Sequence, residues 1–448
     1  MISAYNKFMT RKDVPKIGVI GAGPCGLAVC KTLKEFKLDF ECLEASDRVG
    51  GVWNVEYGGS GYRSLRTNTS TRGMAFSDFP FPECAPDHPS ADNMVEYFNN
   101  YTKHFDLLEH IKFNTRVAKT SVMPDGSWEL EFENGDSSLY SNIIVATGKY
   151  SKPYMPFAET PGLFNGQAFH ATDYLDTQSP IDLRDKRVVV VGLGSSGAEI
   201  ATDLANNAST AGSAAVVTLS ARSGRWVIPK IINGKPADAV APHPAARLPL
   251  ILRYLPNKLG VWLVRRILGR TFRRQFLAQQ ALLSTKLPTP SIRPWADRPT
   301  LSSDFIPALQ SGLIDLKPGV ERFDGATVFF SDGSSTQADA IIYATGYQAH
   351  IPFISAQVLG EQETELALYK RIAHAQYDNL FFVGYCPVLC SMWPIAEQQS
   401  RWIARLLTGA FQMPASAVRK QQSIHLENSL PVICSFYVED LRKQAKGR

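Results

Sequence analysis

Residues 16–26 read KIGVIGAGPCG, and residues 187–197 read RVVVVGLGSSG. Each is an apolar run of strand length, then a G-x-G-x-x-G turn, then a stretch with helical periodicity: LAVCKTLKEF (27–36) in one case, AEIATDLANN (198–207) in the other. A second strand-like run follows each, DFECLE (39–44) and AVVTLS (215–220). A glycine pattern alone is weak evidence. Set between a strand and a helix it has a mechanism, because glycine permits a tight turn and lets a pyrophosphate approach the backbone at a helix N-terminus. The chain therefore holds two βαβ units.

The likeness extends outward. IKFNTRV (111–117), a turn at Asp125-Gly126, WELEFENGD (128–136) and IIVATG (143–148) close the first unit. LIDLKPGV (313–320), a turn at Asp324-Gly325, TVFFSDG (327–333) and IIYATG (341–346) close the second. The expected fold class is α/β, with two Rossmann-like dinucleotide-binding domains in tandem. Because a long stretch still follows the second ATG strand, the second domain reads as inserted into the first. The boundaries are 1–155 and 346–448 for the first domain and 156–345 for the second.

The residue after the second strand of each unit separates the ligands. The first unit ends on Glu44, a carboxylate suited to a ribose 2′-hydroxyl; the second reads Ser220-Ala221-Arg222, with no acid and a cation suited to a 2′-phosphate. The first site, at Gly21, Ala22, Gly23, Pro24, Cys25, Gly26 and Glu44, thus suits the adenosine of FAD or NAD, and FAD is expected there. NADPH is expected at Gly192, Gly194, Ser195, Ser196, Gly197, Ser220 and Arg222. Two such cofactors in one chain imply electron transfer from NADPH to flavin.

Composition excludes several other classes. At 448 residues, 44% hydrophobic and 20% charged, the chain is an ordinary globular protein of two or three domains, and a net charge of +5 gives no reason to expect nucleic acid. The seven cysteines include no C-x-x-C pair, which argues against a dithiol reductase, and their odd number argues against a disulfide framework; Cys386 and Cys390 read as buried thiols. No His/Cys cluster has metal-ligand spacing. No apolar run is long enough to cross a bilayer and the N-terminus lacks a signal core, so a cytoplasmic location is expected. The segment 239–296 holds ten Lys and Arg and no acid, interleaved with leucines, Trp262 and Phe272. Two readings stand for it: a helical cap on the active site, or peripheral contact with a membrane surface.

Between the units lies FNGQAFHATDY (164–174), in which Phe164, Gly166, His170 and Tyr174 match the pattern F-x-G-x-x-x-H-x-x-x-[YF]. With it stand EASDRVGGVW (44–53), LRTNTSTRGMAFSDFPFP (65–82), NMVEYFNNYTKHFDLLEHIKFNTRV (93–117) and LFFVGY…RWIARLL (380–407). In these motifs the chain resembles the flavin-containing, or class B, monooxygenases over nearly its whole length, in a soluble form without the hydrophobic C-terminal anchor of mammalian members. The resemblance implies that NADPH reduces FAD, that O2 adds at flavin C4a to give a hydroperoxide, and that NADP+ stays bound while a soft N or S nucleophile of a small molecule takes the distal oxygen. It also implies Asn68 as the catalytic residue and cofactor contacts at Gly51, Val52, Trp53, Thr67, Thr69, Val117 and Thr147. His170 is expected to hold the domains in register, and Arg225 and Trp226 to lie near the nicotinamide. Partners are then a small substrate and O2, with a homodimer as the expected assembly. Baeyer–Villiger oxidation of ketones, for which relatives usually carry Trp where Tyr174 stands, and a peroxide-releasing NADPH oxidase or flavin reductase are the competing activities. A non-catalytic redox-sensing binder is the competing class.

Overall fold

A computed structural model describes residues 16–210, 216–239, 257–283, 287–290, 298–348, 350–359, 366–425 and 432–445. Its frame is two mainly parallel sheets. The first, of eight strands, runs 424–425, 367–369, 373–374, 380–382, 142–145, 17–20, 40–43, 111–112. The second, of five parallel strands, runs 314–317, 217–220, 188–191, 340–343, 167–170. The two share one internal order: the strand before the glycine turn lies between the strand after the helix and the ATG strand.

The central strands 17–20, 142–145, 188–191 and 340–343 are largely apolar because both faces are covered. Along 142–145, Ile144 joins one core with Val19, Leu27 and Phe381, while Ile143 and Val145 join another with Ile20, Trp128 and Phe382. The period-two alternation of side chains puts neighbouring residues into different cores. Val188 and Val190 divide from Val189 in the same way in the second sheet. Each frame also carries a three-stranded antiparallel sheet, 117–122, 128–132, 137–140 in one and 320–324, 327–330, 335–337 in the other. The glycines of the two predicted turns, Gly126 and Gly325, both have positive φ.

The chain passes between the frames twice, and the two passages lie side by side. Tyr347 pairs with Pro153 and Gln348 with Lys152, and Tyr154 N–H donates to the Gly346 carbonyl at 2.9 Å. The first sheet thus draws strands from both ends of the chain and the second from its middle.

Of the basic segment 239–296, residues 240–256, 284–286 and 291–296 lie outside the described residues. Within it, the helix Asn257–Gln280 buries Phe276 edge-on against Trp226, with centroids 5.2 Å apart. Leu259, Trp262, Leu263 and Ile267 are exposed on it, at helical spacing, with the Arg266 guanidinium 5.2 Å from the Trp262 ring. No helix among the described residues is long and apolar enough to cross a membrane.

Candidate functional site

The two glycine turns are built alike. Gly21 has φ +101° and Gly192 φ +119°, a region in which a side chain is strained. A Cβ on Gly26 would lie 1.8 Å from the Gly21 carbonyl oxygen, and one on Gly197 would lie 1.9 Å from that of Gly192. In both units the third glycine is what lets the helix start against the strand. The middle glycine faces open space: nothing lies within 4 Å of a Cβ on Gly194, and only Gly51 Cα, at 3.8 Å, near one on Gly23. The helix Pro24–Glu35 has no side-chain cap, and its N-terminal proline lacks the N–H that a helix cannot use there. Backbone donors and an open approach at each turn fit the pyrophosphate of a dinucleotide.

The second turn opens on a cavity of about 890 Å³, large enough for a nicotinamide and a small substrate. Gly192, Gly194, Ser195, Ser196, Ser220 and Arg222 line it. Asn68, Thr69 and Val52 reach it from the first frame, and Thr271, Phe272 and Gln275 from the helix Asn257–Gln280. Arg222 is exposed, its aliphatic stem runs beside Gly319, where an added Cβ would lie 3.3 Å from it, and it has no ion pair among the described residues. The Ser220 hydroxyl donates to the Pro318 carbonyl at 2.7 Å, so its proton is committed to the fold.

The first-turn residues sit together but in unequal roles. Glu44 reaches back to accept from Ala22 N–H at 2.6 Å and from Ser46 N–H at 2.9 Å, so it braces the glycine turn beside which a ribose would lie. Gly51, Val52 and Trp53 form a turn of 3₁₀ helix against Gly23, with Trp53 edge-on to Trp393 at 6.0 Å. The Cys25 side chain points away from solvent toward Gly384, and burial pushes its thiol up to about 12. Val117 is packed in the core with Trp128 and Phe132, leaving only its backbone for a ligand. Thr147 shares a 2.7 Å hydrogen bond with Tyr385.

Asn68 is the best placed of the predicted residues. Its Oδ1 and the Thr67 Oγ1 are buried and bond to no protein group, although such orphans are costly unless a ligand meets them. His170 is otherwise engaged. Its Nε2 donates to the Gly346 carbonyl at 3.0 Å, its Nδ1 accepts from Thr172 N–H at 3.1 Å, and burial lowers its pKa. A neutral imidazole with both nitrogens bonded ties the strand 167–170 to the second interframe passage and offers no base. Tyr174 is buried and donates to Asp203 at 2.6 Å, so this position of the motif acts within the fold. Arg225 lines the cavity, and Trp226 packs behind it on Phe276.

One expectation is overturned. Cys390 is not a free thiol: it forms a disulfide with Cys434. The pairing follows from tertiary structure, since Val388 and Val432 bridge and Val432 N–H donates to Pro387 O at 3.0 Å. A separation of 44 residues carries no local signal for this. Sequence reading also passed over Lys230 and Asp238, which reach the Asn68 loop from the second frame. The available signal was that Asp238 is the last acid before the acid-free segment. Among the described residues no group of His, Cys, Asp and Glu could hold a metal ion.

Comparison with known proteins follows the same outline. The profile of the flavin-binding monooxygenase-like family matches residues 14–440. Human flavin-containing monooxygenase 2 is 33% identical over 418 residues, covering 89% of this chain and 74% of that protein. The rat dimethylaniline monooxygenase (N-oxide-forming) 2 is 32% identical over 421 residues, covering 90% and 75%. Among solved structures, the S-allyl-L-cysteine S-oxygenase of Allium sativum superposes with a TM-score of 0.66 at 19% identity, over 97% of this chain and 89% of that one. An open form of cyclohexanone monooxygenase does so with 0.70 at 18%, over 96% and 97%. At such identities the superpositions speak for the fold alone.

Proposed function

Since the chain belongs to the flavin-binding monooxygenase-like family, we propose that it is an FAD- and NADPH-dependent monooxygenase that transfers one oxygen atom of O2 to nitrogen or sulfur of a small nucleophile. FAD when bound supplies the electron transfer and the oxygen activation, and the protein supplies binding, orientation and exclusion of water. The observation that carries the reading is that Asn68, with an unpartnered amide oxygen, opens on the same cavity as the second glycine turn and Arg222. A residue of the first frame and the residues of the second glycine turn thus line one partly open cavity. The names of the curated relatives, an N-oxide-forming enzyme among them, favour a soft nucleophile over a ketone.

In this arrangement the backbone N–H groups after Gly192 and Gly194 would hold the pyrophosphate, Arg222 the 2′-phosphate, and Asn68 would hydrogen-bond to cofactor groups in the cavity. With His170 bonded at both nitrogens, the chain's part in the chemistry is positioning.

Product analysis with a thioether, a tertiary amine and a cyclic ketone tests the reading: sulfoxide or N-oxide is expected, and a lactone without either would overturn it. NADPH consumption matched wholly by peroxide release would make the protein an oxidase instead. Arg222→Ala removes a charge-assisted phosphate contact of about 1.5–3 kcal/mol, so KM for NADPH should rise roughly tenfold to a hundredfold while that for NADH barely moves. Equal changes for both cofactors would remove Arg222 from the phosphate site. Asn68→Ala should keep NADPH consumption and divert it, lowering product per NADPH by roughly tenfold as peroxide rises. Unchanged coupling would remove Asn68 from the mechanism.

A further inference from the structure

Asn68 is held from the second frame at two points, two residues to either side of it. The strands Ile231–Ile232 and Lys235–Pro236 form a short antiparallel pair, closed by Ala237 N–H donating to Lys230 O at 2.7 Å. From one end of this hairpin Lys230 Nζ donates to the Arg66 carbonyl at 3.2 Å. From the other, Asp238 Oδ2 accepts from Ser70 N–H at 3.0 Å and from Ser70 Oγ at 3.1 Å. Gly73 makes room for that carboxylate, since a Cβ there would lie 2.3 Å from Asp238 Oδ2. On the first-frame side, His88 Nδ1 donates to the Thr67 carbonyl at 3.0 Å, and Thr67 N–H donates to Pro89 O at 3.0 Å.

The hairpin is anchored in turn to the second nucleotide site. Lys230 pairs with Glu199 at 2.7 Å, with side chains only 11% and 13% exposed. Glu199 lies on the helix Ser195–Thr210, which starts at the second glycine turn, and its other oxygen accepts from the Tyr62 hydroxyl. A largely buried ion pair is a stiff connection, because parting it leaves a poorly solvated charge without a partner. Contiguous polar contacts therefore run from the helix that would receive the pyrophosphate to both flanks of Asn68.

We propose that the 230–238 hairpin is a clasp that sets the position of Asn68 according to the seating of the second frame, with Asp238 as its positioning residue. The proposal rests on Asn68 acting in the cavity as argued above. The flanks, not the amide, carry the clasp: residues 66 and 70 are gripped by the second frame, while the Asn68 oxygen stays free for a ligand. Small displacements of such a residue are costly, because alignment of reacting groups is lost within about 1 Å.

The test uses the FAD- and NADP+-loaded protein with Asp238→Ala, Asp238→Asn, and each combined with Asn68→Ala. Hydrogen exchange is followed in peptides covering 66–74, with 16–35 as the internal control, and coupling is read as product per NADPH. Asp238→Ala is expected to speed exchange in 66–74 by roughly tenfold or more with 16–35 unchanged. Coupling should fall toward the Asn68→Ala level at unaltered flavin content. Asp238→Asn, whose amide oxygen still accepts from Ser70, should restore both. On the Asn68→Ala background Asp238→Ala should add nothing, since the two changes act through one residue. Unchanged exchange in 66–74 overturns the clasp, as does a coupling loss that Asn does not rescue or that adds in full to Asn68→Ala. If exchange rises and Asn rescues it, while Asn68→Ala couples like wild type, the clasp stands and the role given to Asn68 falls.

Discussion

Gly197→Ala is expected to abolish reduction of the flavin by NADPH while leaving FAD bound and reducible by dithionite. The added Cβ would sit 1.9 Å from the Gly192 carbonyl oxygen, a backbone atom that cannot rotate aside. Relief requires the helix Ser195–Thr210 to lift from the strand Val188–Val191, which carries the N–H groups of the turn away from where a pyrophosphate would bind. Overpacking of this kind costs about 1–3 kcal/mol in a core and more where only backbone can yield. Its effect on binding is larger still, because several hydrogen bonds to one phosphate group are lost together. A drop of at least about a hundredfold in the rate constant of flavin reduction per unit NADPH is the expected result. Gly26→Ala is the matched control: its Cβ would meet Gly21 O at 1.8 Å, so it should empty the flavin site instead. Rapid-mixing reduction with NADPH, with flavin content measured in parallel, separates the two. Wild-type reduction by Gly197→Ala would show that the second turn does not hold the reductant.

Both glycine turns were legible in the sequence because their constraint is local. A strand, three glycines and the start of a helix within ten residues must form one shape, and the repeat at 16–26 and 187–197 made each support the other. The positions of Glu44 and Arg222 were legible for the same reason, since one directly follows its strand and the other stands two residues beyond it. What was not legible depends on contacts between distant segments. The grip of Asp238 on Ser70 spans 168 residues. The Cys390–Cys434 disulfide depends on where two loops happen to meet. Cys25 and Ser220 fall inside readable motifs, yet the Cys25 side chain and the Ser220 hydroxyl turn inward, since a motif specifies backbone more tightly than side-chain direction.

Glu397→Gln should stabilise the protein at alkaline pH and not at acid pH. Glu397 lies on the helix Trp393–Leu407, 2% exposed, and accepts from Ser77 N–H at 3.0 Å and Ser77 Oγ at 2.9 Å. Burial raises its carboxyl to about 7 from the ordinary 4.5, with nearby Asp78 adding to the rise against the pull of the Ser77 hydrogen bonds and Arg401. A carboxyl whose pKa is raised by folding stabilises the native state fully below the unfolded value near 4.5, and that contribution is lost as pH rises through 7. The full difference is on the order of 3 kcal/mol, at about 1.4 kcal/mol per pH unit. Glutamine keeps the shape of the protonated acid and an oxygen for Ser77 N–H, so it should recover most of that difference at pH 8 and little at pH 4.5. His374 works the other way: burial lowers it to about 4, so its contribution is present above about 6.5 and lost as pH falls toward 4. Between roughly pH 4.5 and 6.5 the two opposing slopes offset each other in the wild type. With Glu397 replaced, the slope of His374, which His88 and His170 reinforce because burial lowers them too, is no longer opposed by this carboxyl, and the melting temperature should climb from pH 4.5 to 6.5. A melting-temperature gain from Glu397→Gln that is the same at pH 5 and pH 8 would mean that this carboxyl does not titrate within the fold.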